Sequence, residues 1–308
     1  MAQQHRCSLY VVHRFGKSKS ASVSMRGATL VRVFNEIGDS ALVSDKTINP
    51  ADHVGDTFIF IKPKFLRLPL LLAKTNIVVI DPLDFVHQLP KIKLPFHFFF
   101  TSKKSLKAYS IDFQPLSQWL FYHHFDPRIT SKSKVRHKWI GYCGDPIKLS
   151  NNARSTLQIQ NLRFNELLAG FNYEFHWTIK PSKFQYEPLT KTVTAIASGS
   201  IPIINTNELG EILPAHYPFH IGNQPKNSEI EKLILALNDE GEKATALKAI
   251  KNIKIADYSE SKFTADVLNC LKKLEIGTNP TFKQHFSIHI HDWKLRIKEA
   301  LDSRFGQT

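Results

Sequence analysis

Short apolar runs rich in β-branched and aromatic residues alternate along the chain with segments of helical periodicity. In the first half the pattern predicts strands at 7–12, 41–44, 57–61, 77–80 and 97–101, and helices over 26–37, 65–74 and 102–109. In the second half it predicts strands at 138–142, 174–179 and 201–204, and helices over 155–168, 189–197, 228–238 and 282–305. The helix over 228–238 is expected to open with a capping box formed by Ser228 and Glu231. This alternation is typical of βαβ units around a parallel sheet, so the sequence predicts an α/β fold.

The strand and helix pattern restarts after a polar, charged segment at 127–137, PRITSKSKVRH. A chain of 308 residues is long for one core and suits two domains of about 100–200 residues each. We therefore predict two Rossmann-like domains, an N-terminal one over 1–132 and a C-terminal one over 133–308.

The apolar runs and the cysteines restrict the location of the protein. No segment reaches the ~20 uninterrupted apolar residues that a bilayer span needs, and the first residues, MAQQHRCSLYVVHRF, do not resemble a secretory signal. Cys7, Cys143 and Cys270 are far apart and none belongs to a CxxC motif. Scattered cysteines suit a reducing compartment and argue against a disulfide framework or a zinc cluster. We expect a cytoplasmic protein.

The net charge is unevenly distributed. The chain has 41 Lys and Arg against 27 Asp and Glu, and residues 1–132 hold 18 and 9 of them. Either this is a soluble basic protein, or its first half faces an anionic membrane surface, a phosphorylated acceptor or nucleic acid. The basic apolar run at 62–74, KPKFLRLPLLLAK, is likewise either a buried helix with basic ends or a membrane-surface segment. No zinc finger, RRM-like or helix-turn-helix signature points to nucleic acid as a partner.

The segment at 186–204, YEPLTKTVTAIASGSIPII, carries the most chemical information. A loop containing Pro188 meets a helix that begins near Leu189 or Thr190. Its first turn would present free backbone N–H groups, the Thr190 hydroxyl and an exposed Lys191, a combination that favours an anion such as a diphosphate. An ordinary helix–strand connection is the alternative.

This segment resembles a motif of glycosyltransferases with two Rossmann domains, the GT-B architecture, of the group 1 or family 4-like type. Their nucleotide-sugar-binding half carries a helix ending E-A-hydrophobic-A-x-G-x-P-hydrophobic-hydrophobic, which Thr194–Ile204 matches with one extra residue between Gly199 and Pro202. Weaker similarities lie at the strand ending in Lys180-Pro181, at the Gly-rich turn 141–144, at 123–126, and at 12–13 followed by 24–27.

The resemblance implies two Rossmann-like domains facing a cleft and transfer of a hexose or related sugar, as in polysaccharide biosynthesis. A nucleotide-sugar donor would be used without metal or other cofactor, retention of configuration would be favoured, and the acceptor would be a glycan or lipid-linked molecule. The expected donor-binding residues are Gly141, Gly144, Lys180, Glu187, Thr190, Lys191 and Thr194. Glu187 would contact the sugar and act in catalysis. Thr194 replaces the acidic residue that contacts the donor ribose in the family, and Glu187 lies seven residues upstream of it, one short of the usual separation.

The acceptor half supplies further candidates. His13 ends a predicted strand and is expected to be catalytic, as a general base or as a hydrogen-bond donor to the sugar, unless local groups satisfy it. Arg26 and Gly27 at a helix start are expected to bind a phosphate, with a surface arginine near a cap as the alternative. His123, beside the link, would line the cleft. Asp81 and Asp84 follow a strand, where they would position an acceptor hydroxyl or form a plain turn.

Metal chemistry has little support in the sequence. His285 and His289 lie one helical turn apart, but there is no HExxH motif and no cysteine beside them. No DxD motif is present either.

Two other functions stay open: a catalytically inactive GT-B relative that serves as a binding or scaffold protein, which Thr194 favours, and a basic nucleic-acid-binding protein. A cytoplasmic glycosyltransferase with peripheral contact at the inner face of the membrane is the expected function and location.

Overall fold

The structure, a computed structural model, describes residues 8–13, 26–35, 38–83, 89–90, 92–113, 117–121, 125–129, 135–143, 151–169, 171–179, 189–222, 225–276 and 280–305. By Cα proximity the chain divides into two compact units. The first unit contains Met1–Phe121 and Thr264–Thr308, and the second contains Tyr122–Phe263.

The first unit is built on a six-stranded sheet whose neighbouring strands are all parallel. Its strands are β1 (Leu9–His13), β2 (Ser40–Ser44), β3 (Thr57–Ile61), β4 (Ile77–Asp81), β5 (His97–Phe100) and β6 (Ser117–Leu120), and its first helices are α1 (Ala28–Asn35), α2 (Arg67–Leu72) and α3 (Lys103–Phe113). The strand order is β2-β1-β3-β4-β5-β6. The central strands are continuous apolar runs because both faces of the sheet are covered, and all four residues of β5 are buried.

The second unit is built on a five-stranded sheet with the order β11-β10-β9-β7-β8, again with parallel neighbours. Its strands are β7 (Val135–Tyr142), β8 (Gln160–Asn161), β9 (Phe171–Trp177), β10 (Ile201–Asn205) and β11 (His220–Ile221), and its helices are α4 (Asn151–Thr156), α5 (Phe164–Leu168), α6 (Thr190–Ala197), α7 (Asn227–Asn238) and α8 (Glu240–Lys251). The division between the units falls within α9 (Glu260–Leu271), and α10 (Phe282–Phe305) belongs to the first unit.

Both sheets share one topological feature. In each, the first strand lies between the second and the third, so β1 is flanked by β2 and β3 and β7 by β8 and β9. The order of the strands reverses at β1/β3 and at β7/β9. Open parallel sheets bind ligands in the crevice at the carboxyl ends of the strands at such a reversal. Each unit therefore has one topologically favoured place for a site.

These two parallel α/β sheets confirm the predicted fold class. The division of the chain differs from the predicted domains over 1–132 and 133–308, because α10 packs against α2. The Asp292 carboxylate accepts hydrogen bonds of 3.1 Å from the Leu66 N–H and 3.0 Å from the Arg67 N–H. These bonds tie the C-terminal helix to the first unit, a connection that no local pattern predicts.

Two local predictions are wrong. The expected helix over 155–168 is two short helices with β8 between them, because Gln158 has a left-handed backbone with φ of +50° and the chain then pairs with β7. The expected Ser228–Glu231 capping box is also displaced. Helix α7 begins at Asn227, and it is the Glu229 carboxylate that accepts the Lys226 N–H, at 2.8 Å.

The basic apolar run at 62–74 forms the short helix α2, whose Pro69, Leu70 and Leu72 side chains are buried within the first unit. This agrees with the interpretation as a buried helix with basic ends. Across the described ranges, no helix combines the length and the apolar character that a bilayer crossing requires.

Candidate functional site

The strand reversal of the second sheet brings together the end of β7 and the end of β9. Helix α6 lies between β9 and β10 in the chain, and these two strands are parallel neighbours in the sheet. The first turn of α6 therefore lies at the carboxyl edge of the sheet. Leu189 precedes this helix and its apolar side chain provides no capping hydrogen bond. The partial positive charge of the helix N-terminus is thus not neutralised by a capping side chain from Leu189.

Lys191, in this first turn, lies against the end of β7. Its Nζ atom is buried and stands 3.8 Å from the centre of the Tyr142 ring, and the Tyr142 side chain is fully buried. A desolvated ammonium over an aromatic face gains roughly 2 kcal/mol from the ring quadrupole. The prediction that Lys191 is exposed is therefore wrong, because its Nζ atom is buried over the Tyr142 ring. Its role as an anion-binding group at the helix start stays a prediction.

His176, the residue before the last one of β9, is fully buried beside Lys191. Neither of its ring nitrogens has a hydrogen-bond partner within the described residues. Burial, and then the Lys191 charge, lower the pKa of His176 from 6.5 to about 3, so its imidazole is neutral. A neutral imidazole offers one donor and one acceptor, and leaving both unsatisfied in the interior is costly. His176 was missed because β9 alternates aromatic and polar residues, and a histidine at one of the polar positions carries no local mark.

Cys143 directly follows Tyr142 and is half-buried. Burial raises the pKa of its thiol, and the nearby Lys191 charge offsets only part of that effect. The thiol is therefore protonated at neutral pH, whereas a nucleophilic cysteine needs its thiolate. We assign Cys143 no nucleophilic role.

Hydrogen bonds join the first turn of α6 to the neighbouring strand ends. The Thr192 hydroxyl donates to a Glu208 carboxylate oxygen at 3.1 Å, just beyond β10, and lies 3.4 Å from the Thr178 hydroxyl after β9. The Thr178 hydroxyl donates to the Ile203 carbonyl at 2.9 Å. These bonds fix the helix start over the sheet edge. Neither Thr192 nor Glu208 was singled out from the sequence.

The remaining predicted donor residues have different surroundings. Thr190 is half-buried at the first position of α6, and Thr194 is buried further along it. Gly141 lies opposite His176 in the sheet register, and a Cβ atom there would approach Cδ2 of the Tyr173 ring to 2.3 Å. Close packing against Tyr173 is thus a sufficient reason for a glycine at this position. Four other predicted site residues lie outside the described residues: Gly144, Lys180, Glu187 and His123.

Arg26, the predicted phosphate ligand of the first unit, is fully buried. Its Nε–H donates a short hydrogen bond to Asp81, and its terminal nitrogens lie 3.4 and 3.5 Å from the Phe121 carbonyl oxygen. Burial raises the pKa of Asp81, and the Arg26 charge opposes that shift. Both expectations for Arg26, phosphate binding and a surface position, are corrected by this geometry, because its guanidinium is directed into the unit.

Gly27 and His13 complete the predicted residues of the first unit. A Cβ atom at Gly27 would come within 3.3 Å of the Ile61 and Leu42 side chains, so close packing restricts this position. His13 ends β1 and lines a cavity of about 510 Å³. Among the described residues, no three His, Cys, Asp or Glu side chains are grouped as metal ligands would be.

No protein-family model matches the sequence, and no curated protein matches it. Among solved structures, the chain is similar to the crystal structure of an α1,3-fucosyltransferase, with a TM-score of 0.48 and 10% sequence identity. The match covers 92% of this chain and 95% of that one. At this level of identity the likeness carries no information about donor, acceptor or catalytic residues.

Proposed function

We propose that this chain is a glycosyltransferase that holds a nucleotide-activated sugar at the carboxyl edge of its second sheet. The observation that carries the proposal is the position of Lys191. This lysine stands in the first turn of α6, where the strand order reverses between β7 and β9. The same turn opens the segment whose sequence resembles the donor-binding motif of GT-B glycosyltransferases.

The proposed chemistry uses the charge at this helix start. When the bond between the sugar and its nucleotide breaks, negative charge develops on the departing diphosphate. The α6 N-terminus and the Lys191 ammonium would stabilise that charge, as preorganised positive groups do at other phosphoryl leaving groups. Because the ammonium is buried, solvent screens its attraction to an anion less than at the surface. On this proposal no metal or cofactor is required.

Other residues keep their proposed roles on the strength of the sequence. Glu187 would accept hydrogen bonds from the hydroxyls of the sugar and take part in catalysis. Gly144, Lys180 and Thr194 would border the nucleotide. The acceptor, a glycan or a lipid-linked molecule, is assigned to the first unit with His13 as its general base and with His123. We propose a cytoplasmic location with peripheral membrane contact.

A second candidate is a catalytically inactive binding or scaffold protein with the same donor site. It is favoured by Thr194, an uncharged residue where the resembled family has an acid. A nucleic-acid-binding function has only the net charge of +14 in its favour. Filter binding at moderate salt tests that function directly.

The experiment is a thermal-shift screen with UDP-, GDP-, ADP- and CMP-sugars, followed by assays of transfer and hydrolysis on the ligand that binds. A ligand that binds only the folded state raises the midpoint, by an amount that grows with the logarithm of its concentration above its dissociation constant. The proposal predicts a rise with sugars of one nucleotide and slow hydrolysis of that donor. Stabilisation without any turnover, with or without acceptors, would favour the binding protein. No stabilisation by any nucleotide sugar would contradict both.

A further inference from the structure

The cavity that His13 lines lies at the strand reversal of the first sheet. It has a volume of about 510 Å³ and is lined by the ends of β1 and β3, through His13 and Ile61. Ligand pockets of proteins fall in this size range. The position is the one at which an open parallel sheet binds its ligand. The cavity is therefore a candidate binding site of the first unit in its own right.

Backbone strain accompanies this edge of the sheet. Lys62, directly after β3, has a left-handed backbone with φ of +50°, and its N–H donates to the Asp81 carbonyl at 2.8 Å. Leu83, just after β4, has φ of +51°. Residues other than glycine rarely adopt this conformation, and such strain concentrates at functional sites.

The rim of the cavity is strongly basic. Lys46, Lys64, Arg67 and Arg296 line it, whereas Asp45 is the acidic residue in its lining. An excess of positive charge around a concave, partly apolar surface raises the local concentration of anions. The charges thus favour a negatively charged ligand over a neutral sugar.

Both arginines of the lining belong to segments that meet at the buried Asp292 carboxylate. Asp292 of α10 accepts the backbone N–H of Arg67, and Arg296 follows Asp292 by one helical turn. This contact holds the start of α2 against α10, with Arg67 and Arg296 both at the cavity. The guanidinium carbon of Arg296 lies 5.0 Å from the centre of the Phe65 ring, which also lines the cavity. The contact between α2 and α10 therefore brings Arg67 and Arg296, both exposed residues, to one cavity.

Apart from His13, the rest of the lining is apolar. It includes Phe65, Leu68 and Leu71, and the two leucines lie in the same helix as Arg67. A ligand that satisfies both parts carries an anionic group joined to an apolar one. Arginine recognises a phosphate with two parallel hydrogen bonds, which makes a phosphomonoester the best match to this pair.

We infer that the cavity of the first unit binds a phosphomonoester whose substituent is apolar, and that this is the acceptor of the sugar. The assignment as acceptor rests on the proposed function, whereas binding of the phosphomonoester does not. The ligand class is common to a soluble aryl or alkyl phosphate and to a lipid-linked phosphate. The length of the apolar chain distinguishes these two sources.

The test is calorimetric titration of the whole chain with phenyl phosphate, phenol and monomeric dodecyl phosphate at low ionic strength. We expect saturable binding of both phosphates and none of phenol. Arg67→Gln and Arg296→Gln should each weaken phenyl phosphate about tenfold, the worth of one charged hydrogen bond. Lys74→Gln removes a positive charge from the same unit outside the cavity lining and should leave the dissociation constant unchanged. Tighter binding of dodecyl phosphate identifies a lipid-linked ligand, and weaker binding a soluble one.

The inference would be overturned by no saturable binding of either phosphate, by equal binding of phenol, or by equal weakening by Lys74→Gln and the arginine variants. Weakening by Lys191→Met instead of the arginine variants would also overturn it, because the probe would then occupy the second unit. Failure of the proposed function is a separate result. In that case nucleoside diphosphates do not bind, while phenyl phosphate still binds and remains sensitive to Arg67→Gln.

Discussion

The Lys191 ammonium lies 3.8 Å from the centre of the Tyr142 ring, at the edge where the strand order of the second sheet reverses. The lysine comes from the first turn of α6 and the tyrosine from the last position of β7. A positive charge is thereby held inside the protein at the start of a helix. The pair also links the proposed donor site to the packing of the unit, so substitutions there should affect both stability and binding.

The coupling of Lys191 with Tyr142 can be measured by a double-mutant cycle. Tyr142→Leu should lower the free energy of unfolding by roughly 2–4 kcal/mol, since it removes a fully buried ring. In the Lys191→Met background the same change should cost about 1–2 kcal/mol less, because no ammonium then loses the ring face. Urea unfolding of the four proteins gives the coupling energy. Strictly additive effects would show that the ring does not stabilise the ammonium.

Acid sensitivity should follow from the burial of His176. Its pKa is about 3 in the folded chain against 6.5 for an ordinary histidine, so between these pH values the unfolded chain binds a proton that the folded chain does not. The free energy of unfolding should therefore fall as the pH is lowered through this window, by up to about 1.4 kcal/mol per pH unit from this group.

Urea unfolding at several pH values tests this, with His176→Asn as the variant and His216→Asn, at an exposed position of the same unit, as its control. His176→Asn should have a shallower pH dependence than the wild type between pH 3 and 6.5. His216→Asn should keep the wild-type dependence. Equal slopes in the wild type and His176→Asn would mean that His176 is not buried as a neutral group.

The Arg26–Asp81 pair should stabilise the first unit only as a pair. Asp81→Asn leaves a guanidinium in the interior without its carboxylate and should cost roughly 3–5 kcal/mol of unfolding free energy. Arg26→Met combined with Asp81→Leu should recover much of that loss. Arg128→Met removes a largely exposed guanidinium from the Asp126 carboxylate, and this comparison should cost less than Asp81→Asn. If Asp81→Asn unfolds at the wild-type denaturant concentration, the buried pair is not formed in solution.

Local sequence pattern predicted the elements that depend on local interactions. The strand Thr57–Ile61 and the long helix Phe282–Phe305 have the predicted ends, since continuous apolar runs and helical periodicity mark them. The two-residue strands β8 and β11 have no such mark, because pairing with β7 and β10 defines them. Membership of α10 in the first unit likewise depends on Asp292 meeting the start of α2, a contact between distant parts of the chain.

The candidate site was predictable only where a motif marks it. Lys191 and Gly141 stand within segments that resemble known motifs, and the structure places them at one edge of the second sheet. Tyr142 and His176 were missed because they are buried strand residues, and their proximity to Lys191 arises from the strand order. The partnership of Arg26 with Asp81 was missed for the same reason, since 55 positions separate them.

Binding of a nucleoside diphosphate to Lys191 variants tests the central claim most directly. The measurement is calorimetric titration of the wild type, Lys191→Met and Lys232→Met with the nucleoside diphosphate of the donor that stabilises the chain, Lys232 being an exposed lysine of the same unit. The account predicts that Lys191→Met, still folded, binds roughly 1–3 kcal/mol more weakly, about the worth of one charged hydrogen bond. Lys232→Met should bind as the wild type does. Unchanged affinity in a folded Lys191→Met protein would place the donor site elsewhere and contradict the account.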